Sequence, residues 1–225
     1  MRLRNCAMMA LAVAGAMMLT ACGIDAFIHA EEAYTSTAAS PFSDAMAEKA
    51  MELIGENIRR FVANRTDVEA AEAMMVGSLF AGIAFSFARL GNVHAMSHPV
   101  SAFFDVPHGV ANAVLLPVVA EYNALADHGR YYKIYNYISE IPAYEDEFEP
   151  MMLVDAIRSL CKAIGIPANL TEAINRAGKT GSISRETIEE KIEAMAADAM
   201  KSGNIAVNPR SSRQCDIEML YRKAL

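Results

Sequence analysis

From residue 23 onward, apolar positions recur at intervals of three and four, with no run of alternating positions. That periodicity predicts helix after helix and no sheet. Residues 23–35 form the first helical segment. Ser40-Pro41 then reads as an N-cap followed by a proline in the first turn. The helix it opens places Ala45, Met46, Ala50, Leu53 and Ile54 on one stripe. Asn64 to Asp67 is a turn. A long apolar helix runs from Val68 to Leu90, with Gly91 as its C-terminal cap. Pro99, Pro107 and Pro117 punctuate the next stretch, so it should be a kinked or broken set of helices. Short helices are expected over Tyr131–Ser139, Met151–Ile164, Thr187–Lys201 and Asp216–Leu225. Residues 140–150 form an acidic connector, and Gly165-Ile166-Pro167 and Asn208-Pro209-Arg210 form turns.

Composition narrows the class. The chain has 225 residues, 53% hydrophobic, which is enough for one good-sized domain and rules out a disordered chain. Fifteen Met, many Ala and no Trp favour helix over sheet. The net charge of -7 offers no electrostatic footprint for nucleic acid. Cys6, Cys22, Cys161 and Cys215 form no CxxC pair, and their scatter fits a reducing compartment.

Residues 1–18 stand apart as an apolar N-terminal segment. Arg2 and Arg4 precede an apolar run from Cys6, and Leu19-Thr20-Ala21-Cys22 has the form of a lipobox. Taken alone, this is a lipoprotein signal, which would anchor the chain to a membrane through Cys22. The rival reading is an aberrant or truncated start leading into a helix of a cytoplasmic protein. We expect the second, because a lipid anchor at Cys22 would sit three residues from Asp25, a candidate metal ligand.

The chemistry concentrates in a few positions. Four of the five histidines fall in two short segments. Asp25 and His29 are four apart, so they share one helix face, and His94 and His98 repeat that spacing. His108 stands between Pro107 and Gly109 at the start of the next helix. One carboxylate with imidazoles suits Fe(II) or Zn(II). Each piece alone has a blander explanation: a histidine on an apolar helix is usually a packed core residue, and an Asp/His pair four apart is usually a hydrogen bond. Together they make a helical domain with a candidate metal site, and the residues alone go no further. GxGxxG, the P-loop and GxSxG are all absent, so nothing in the chain cradles a pyrophosphate or marks a serine hydrolase.

The segment GIDAFIHAEEAY, followed by GNVHAMSHPVSAFFDVPHGVANAVLLP, closely resembles iron-containing (group III) alcohol dehydrogenases. In that family a glycine is followed, after two intervening residues, by His, then by a second His, then by Pro-His-Gly. Gly91, His94, His98 and Pro107-His108-Gly109 match each of these positions. The tail NPRSSRQCDIEMLYRKAL resembles the family's closing helix, and the likeness runs from about Leu19 to Leu225. Ser97 and Ser101 stand where the family usually has Ala and Gly, small changes that should be tolerated. The larger departure is that only the second domain of the family is matched. The dinucleotide-binding domain that precedes it in the family has no counterpart in these residues.

The resemblance implies an all-α helical bundle of the dehydroquinate synthase-like type over residues 19–225, without a Rossmann-like domain. It also implies four metal ligands, Asp25, His29, His94 and His108. His98 would lie near nicotinamide and substrate, as a catalytic and cofactor-contacting residue. The implied reaction is oxidation of an alcohol to an aldehyde or ketone, with the metal as Lewis acid and NAD or NADP as hydride acceptor. Phe103 and Phe104 read as core aromatics before pocket walls, His128 as a loop histidine, Cys22 as a packing residue, and the Met stripes at Met74–Met75 and Met195–Met200 as core. We expect homo-oligomers, and activity only with a nucleotide-binding domain supplied in trans or by fusion. The alternative is a non-enzymatic metal-binding lipoprotein derived from such an enzyme. A glycerol dehydrogenase or dehydroquinate synthase is less favoured, because the Pro-His-Gly motif argues against it.

Overall fold

The computed structural model describes residues 20–177 and 182–225, and among these there are helices and no strands. The apolar segment 1–18, and Leu19 at the head of the lipobox-like tetrapeptide, lie outside the described residues. Helix α1 spans 20–35. It is followed by α2 (Pro41–Ala63), α3 (Val68–Ala88), α4 (Asn92–Phe104) and α5 (His108–Asn123). Shorter helices complete the bundle: α6 (Arg130–Ile138), α7 (Pro150–Ala163), α8 (Leu170–Ala177), α9 (Arg185–Glu189), α10 (Ile192–Ala199) and α11 (Gln214–Ala224).

The expected caps are largely present. Ser40 caps α2 by accepting the Ser43 N–H, with Pro41 in the first turn. Asp67 caps α3 by accepting the Ala70 N–H. Pro99 and Pro117 are carried inside α4 and α5, and the chain breaks between them at Asp105 to Pro107.

Helix α5 is the centre of the bundle. Val110, Ala111, Ala113, Leu115, Leu116, Val119 and Ala120 are all buried, which leaves it almost no solvent face. It packs against α4, α7, α8 and α11. Helix α3 is as apolar but lies at the edge, packed mainly on α2. Val68, Met75, Leu79 and Phe87 are left exposed on its outer side.

Four details differ from the sequence reading. The buried stripe of α2 runs through Ala47, Ala50, Met51, Ile54 and Ile58, while Ala45 is exposed. Helix α2 is covered by both α3 and α6, which shifts and widens its inner face. Helix α3 stops at Ala88, where the Ser36 hydroxyl donates to the Ala88 carbonyl at 2.6 Å and draws off one of its end acceptors. The left-handed φ of 64° belongs to Arg89, not to Gly91. The segment Thr187–Lys201 is two helices, because Ile188 and Ile192 are both fully buried and the turn between them lets α10 pack on α4 and α11. Helix α8 is not expected from the pattern, although Asn169 supplies a side-chain cap by accepting the Glu172 N–H at 2.8 Å.

Candidate metal centre

Three helices converge on one point. From α1 come Asp25 and His29, from α4 His94, and from α5 His108. The ligand atoms of Asp25, His29 and His94 lie within 4.8 Å of one another. His29 Nε2 is 4.0 Å from one Asp25 oxygen, and His94 Nε2 is 3.7 Å from the other. The His29 and His94 rings stack at 4.5 Å between centroids, and His108 stands 5.3 Å from His94. Gly109 allows this approach of α5 to α1, since a Cβ there would collide with the Ala21 carbonyl.

The α1 face carries a third member that the Asp/His spacing did not single out. Glu32 lies three residues after His29 and is buried, 4% exposed. Its Oε2 meets His94 Nδ1 at 2.6 Å, and its Oε1 accepts the Val93 N–H at 2.6 Å. The helix start has no side-chain cap of its own, so Glu32 caps α4 and grips the histidine at once. The grip also fixes the tautomer. Nδ1–H of His94 donates to the carboxylate, and Nε2 presents a bare lone pair to the centre, as in carboxylate–histidine–metal arrangements. Gly91 makes room for this, because a Cβ there would sit 2.9 Å from both Glu32 Oε1 and Asn208 Oδ1. Asn208 in turn accepts the Asn92 N–H at 3.1 Å, which gives the Asn-Pro-Arg turn a structural role at the site.

A second unforeseen residue is Asn112, one turn after His108 on α5 and fully buried. Its Nδ2 lies 2.5 Å from Asp25 Oδ1 and 3.0 Å from both His94 Nε2 and His108 Nε2. All three of these atoms therefore point at one place. An i,i+4 relation to His108 was the available signal for Asn112, as i,i+3 to His29 was for Glu32.

Burial disfavours the charged form of three of the rings, His29, His108 and His98. Burial, reinforced by the nearby His94, lowers His29 to about 4, with Asp25 and Glu32 pulling the other way. Burial also lowers His108 and His98. Neutral imidazoles beside a carboxylate are the protonation state a divalent ion requires. The donor set, the fixed His94 tautomer and the converging lone pairs fit such an ion.

Not all of the remaining expected residues fall around this centre. His98 is exposed and stacks on His108 at 5.2 Å and 13°. Phe85 of α3 borders His29 at 4.7 Å. Phe103 is exposed, and Phe104 packs partly against the core. Ser97 places its hydroxyl 3.5 Å from His108 Nδ1, beside a proposed ligand. His128 lines a separate cavity of about 320 Å³ with Thr35, Asn123 and Arg130, away from the ligand cluster. Met74 and Met195 are buried, but Met75 is exposed and Met200 only half-buried, so those stripes are not wholly core. Cys22 is exposed, not packed, while Thr20 and Ala21 before it are buried. A cut before Cys22 would remove the carbonyl on which Gly109 closes.

Comparison with known proteins agrees with this architecture. The family model described as Fe-containing alcohol dehydrogenase family, C-terminal, matches residues 19–225. The chain is 39% identical over 210 residues to 1,3-propanediol dehydrogenase of Citrobacter freundii, covering 93% of this chain and 51% of that protein. A crystal structure of 1,3-propanediol oxidoreductase superposes with a TM-score of 0.82 at 38% identity, covering 93% of this chain and 52% of the other. The iron-containing alcohol dehydrogenase from Thermococcus thioreducens matches with a TM-score of 0.76 at 36% identity, over 90% of this chain and 49% of the other. The chain thus spans about half the length of the relatives it matches. Nothing in these comparisons favours a lipoprotein.

Proposed function

Since the chain belongs to the Fe-containing alcohol dehydrogenase family, in its C-terminal region, we propose that residues 19–225 are the all-helical metal-binding domain of a cytoplasmic NAD(P)-dependent alcohol dehydrogenase. The observation that carries this reading is the convergence of His94 Nε2, His108 Nε2 and Asp25 Oδ1 on one point, with Glu32 holding the far nitrogen of His94. Asp25, His29, His94 and His108 would hold Fe(II), with Zn(II) as the alternative of similar ligand preference. The ion supplies Lewis acidity toward an alcohol oxygen when bound.

The chain's own groups do the rest. Glu32 keeps His94 in the tautomer that leaves Nε2 unprotonated. Burial keeps His29 and His108 unprotonated. His98, exposed and stacked on His108, stands at the open side of the centre, where it can contact substrate and nicotinamide and relay the hydroxyl proton outward. Phe103 lies on the same helix, exposed, and can wall that side.

The substrate is a small alcohol or its aldehyde. Hydride transfer needs nicotinamide within about 3–3.5 Å of the substrate carbon, and this sequence has no glycine-rich turn to anchor a pyrophosphate. A nucleotide-binding domain, in trans or fused before Leu19, supplies that anchor. The apolar outer face of α3 supports self-association of these 225 residues on their own.

The test is reconstitution. The 225 residues alone should give no alcohol-dependent NAD(P)H formation. The same residues fused behind a nucleotide-binding domain from a relative should give it, and His98→Ala should lower turnover in that fusion while metal content stays unchanged. Dehydrogenase activity from the 225 residues alone would contradict the half-enzyme reading.

A further inference from the structure

Asn112 lies at the convergence point itself, and its side chain is arranged for the ligand set at its own expense. Its Nδ2 has two protons and three acceptors, Asp25 Oδ1 at 2.5 Å and the Nε2 atoms of His94 and His108 at 3.0 Å each. Its Oδ1 is buried and has no hydrogen-bond partner. The reverse orientation of the amide would aim an acceptor oxygen at a carboxylate and two ring lone pairs, so nitrogen-inward is the orientation the chemistry selects. Leaving a buried carbonyl oxygen unpaired carries a real penalty, and it is tolerated here because the N–H groups bridge three side chains from three helices.

The lone pairs that accept from Asn112 are the ones a divalent ion would take. An N–H hydrogen and a cation cannot share them. We propose that Asn112 is a latch on the metal centre: its amide ties Asp25 (α1), His94 (α4) and His108 (α5) together, and a cation entering the site must displace it. Asn112 is therefore a positioning residue that competes with the metal and is not one of its ligands. The inference rests on the metal-centre reading above. It also makes α5 a reporter of metal loading, because the residue displaced is one turn from His108 on the central helix of the bundle.

The experiment is a competition titration of the full chain with Zn(II) and Co(II) against a chromophoric chelator, paired with thermal melts in chelator and in excess metal. It compares wild type, Asn112→Ala and Asn112→Ser, the serine being too short to reach all three acceptors. Removing the latch should tighten metal binding by about tenfold, the scale of one to two net hydrogen bonds. It should also lower the melting temperature in chelator while enlarging the rise on adding metal. A residue that only packs the core would lower both melts and leave affinity unchanged or weaker. Unchanged or weakened affinity in both variants, with wild type binding normally, overturns the latch and leaves the metal centre standing. No saturable binding by wild type overturns the metal centre and the latch with it.

Discussion

His94 and His98 sit one turn apart on α4, yet the first is 1% exposed and gripped from α1 while the second faces solvent. The two belong to different regions of the site. The inner wall is Asp25, His29, Glu32, His94, His108 and Asn112, closed by Gly91 and Gly109, and these side chains meet one another across three helices. The outer rim is His98, exposed and stacked on His108, with Phe103 exposed farther along the same helix. The inner wall is built to fix geometry before any ligand arrives, while the rim is built to meet something else. In the proposed enzyme that division is metal on one side, substrate and nicotinamide on the other.

The comparison breaks most sharply at the ligands. His94→Ala or Asp25→Ala should abolish saturable binding of a divalent ion, read by metal content after dialysis. Retention of near-stoichiometric metal by His94→Ala would erase the inner wall as described. Next comes Glu32→Ala. It strands the Val93 N–H and frees the His94 ring, so metal affinity should fall about 10- to 100-fold, the usual effect of losing an outer partner of a ligating histidine. The buried donors left unpaired should cost about 2 kcal/mol of stability, measurable by denaturant melts in chelator.

Acid should act on the inner wall through His29. Its folded value, about 4, lies below its ordinary 6.5, so the neutral ring is favoured in the native state. The associated stability is complete above about pH 6.5 and is lost as pH falls toward 4. The shift corresponds to about 3 kcal/mol. Melts of the chelator-treated chain between pH 7 and 4 should show this fall, and His29→Gln should flatten it. The depressed values also place the acid limit of metal binding below the pH 6 or so that unperturbed imidazoles would give.

Smallest of all should be the rim. His98→Ala should change metal affinity less than about twofold, since its ring stacks on His108 without entering the centre. If His98→Ala cost as much metal as His94→Ala, the division between wall and rim would fail. On the α3 face, Leu79→Gln should reduce self-association in sedimentation experiments with little effect on the melt, because Leu79 is 62% exposed.

Much of this was legible in the chain. Helical periodicity, Ser40-Pro41, and the Asp25/His29 and His94/His98 spacings are local signals, and local signals survive without knowledge of packing. What escaped was set by tertiary contact. Gly91 read as a helix cap because glycine often is one, but its small size is required by Glu32 and Asn208 pressing from α1 and the tail. Glu32 looked like one more charge in a run of two, and only the fold puts it under the start of α4. Asn112 sat in an apolar stretch with no motif role, and its partners come from sequence positions 87 residues away at Asp25 and 18 away at His94. The shift of the α2 stripe has the same origin, since a second covering helix cannot be read from one helix's own pattern.

The central claim is that Asp25, His29, His94 and His108 form one site for one divalent ion. Its most direct test is anaerobic titration of the purified 225-residue chain with Co(II), followed by visible absorption, alongside His94→Ala. The account predicts saturation at about one equivalent, with the intense d–d bands of a low-coordinate nitrogen-and-oxygen site, and no such bands from the variant. Absence of saturable bands in wild type, or identical spectra from wild type and His94→Ala, would contradict it.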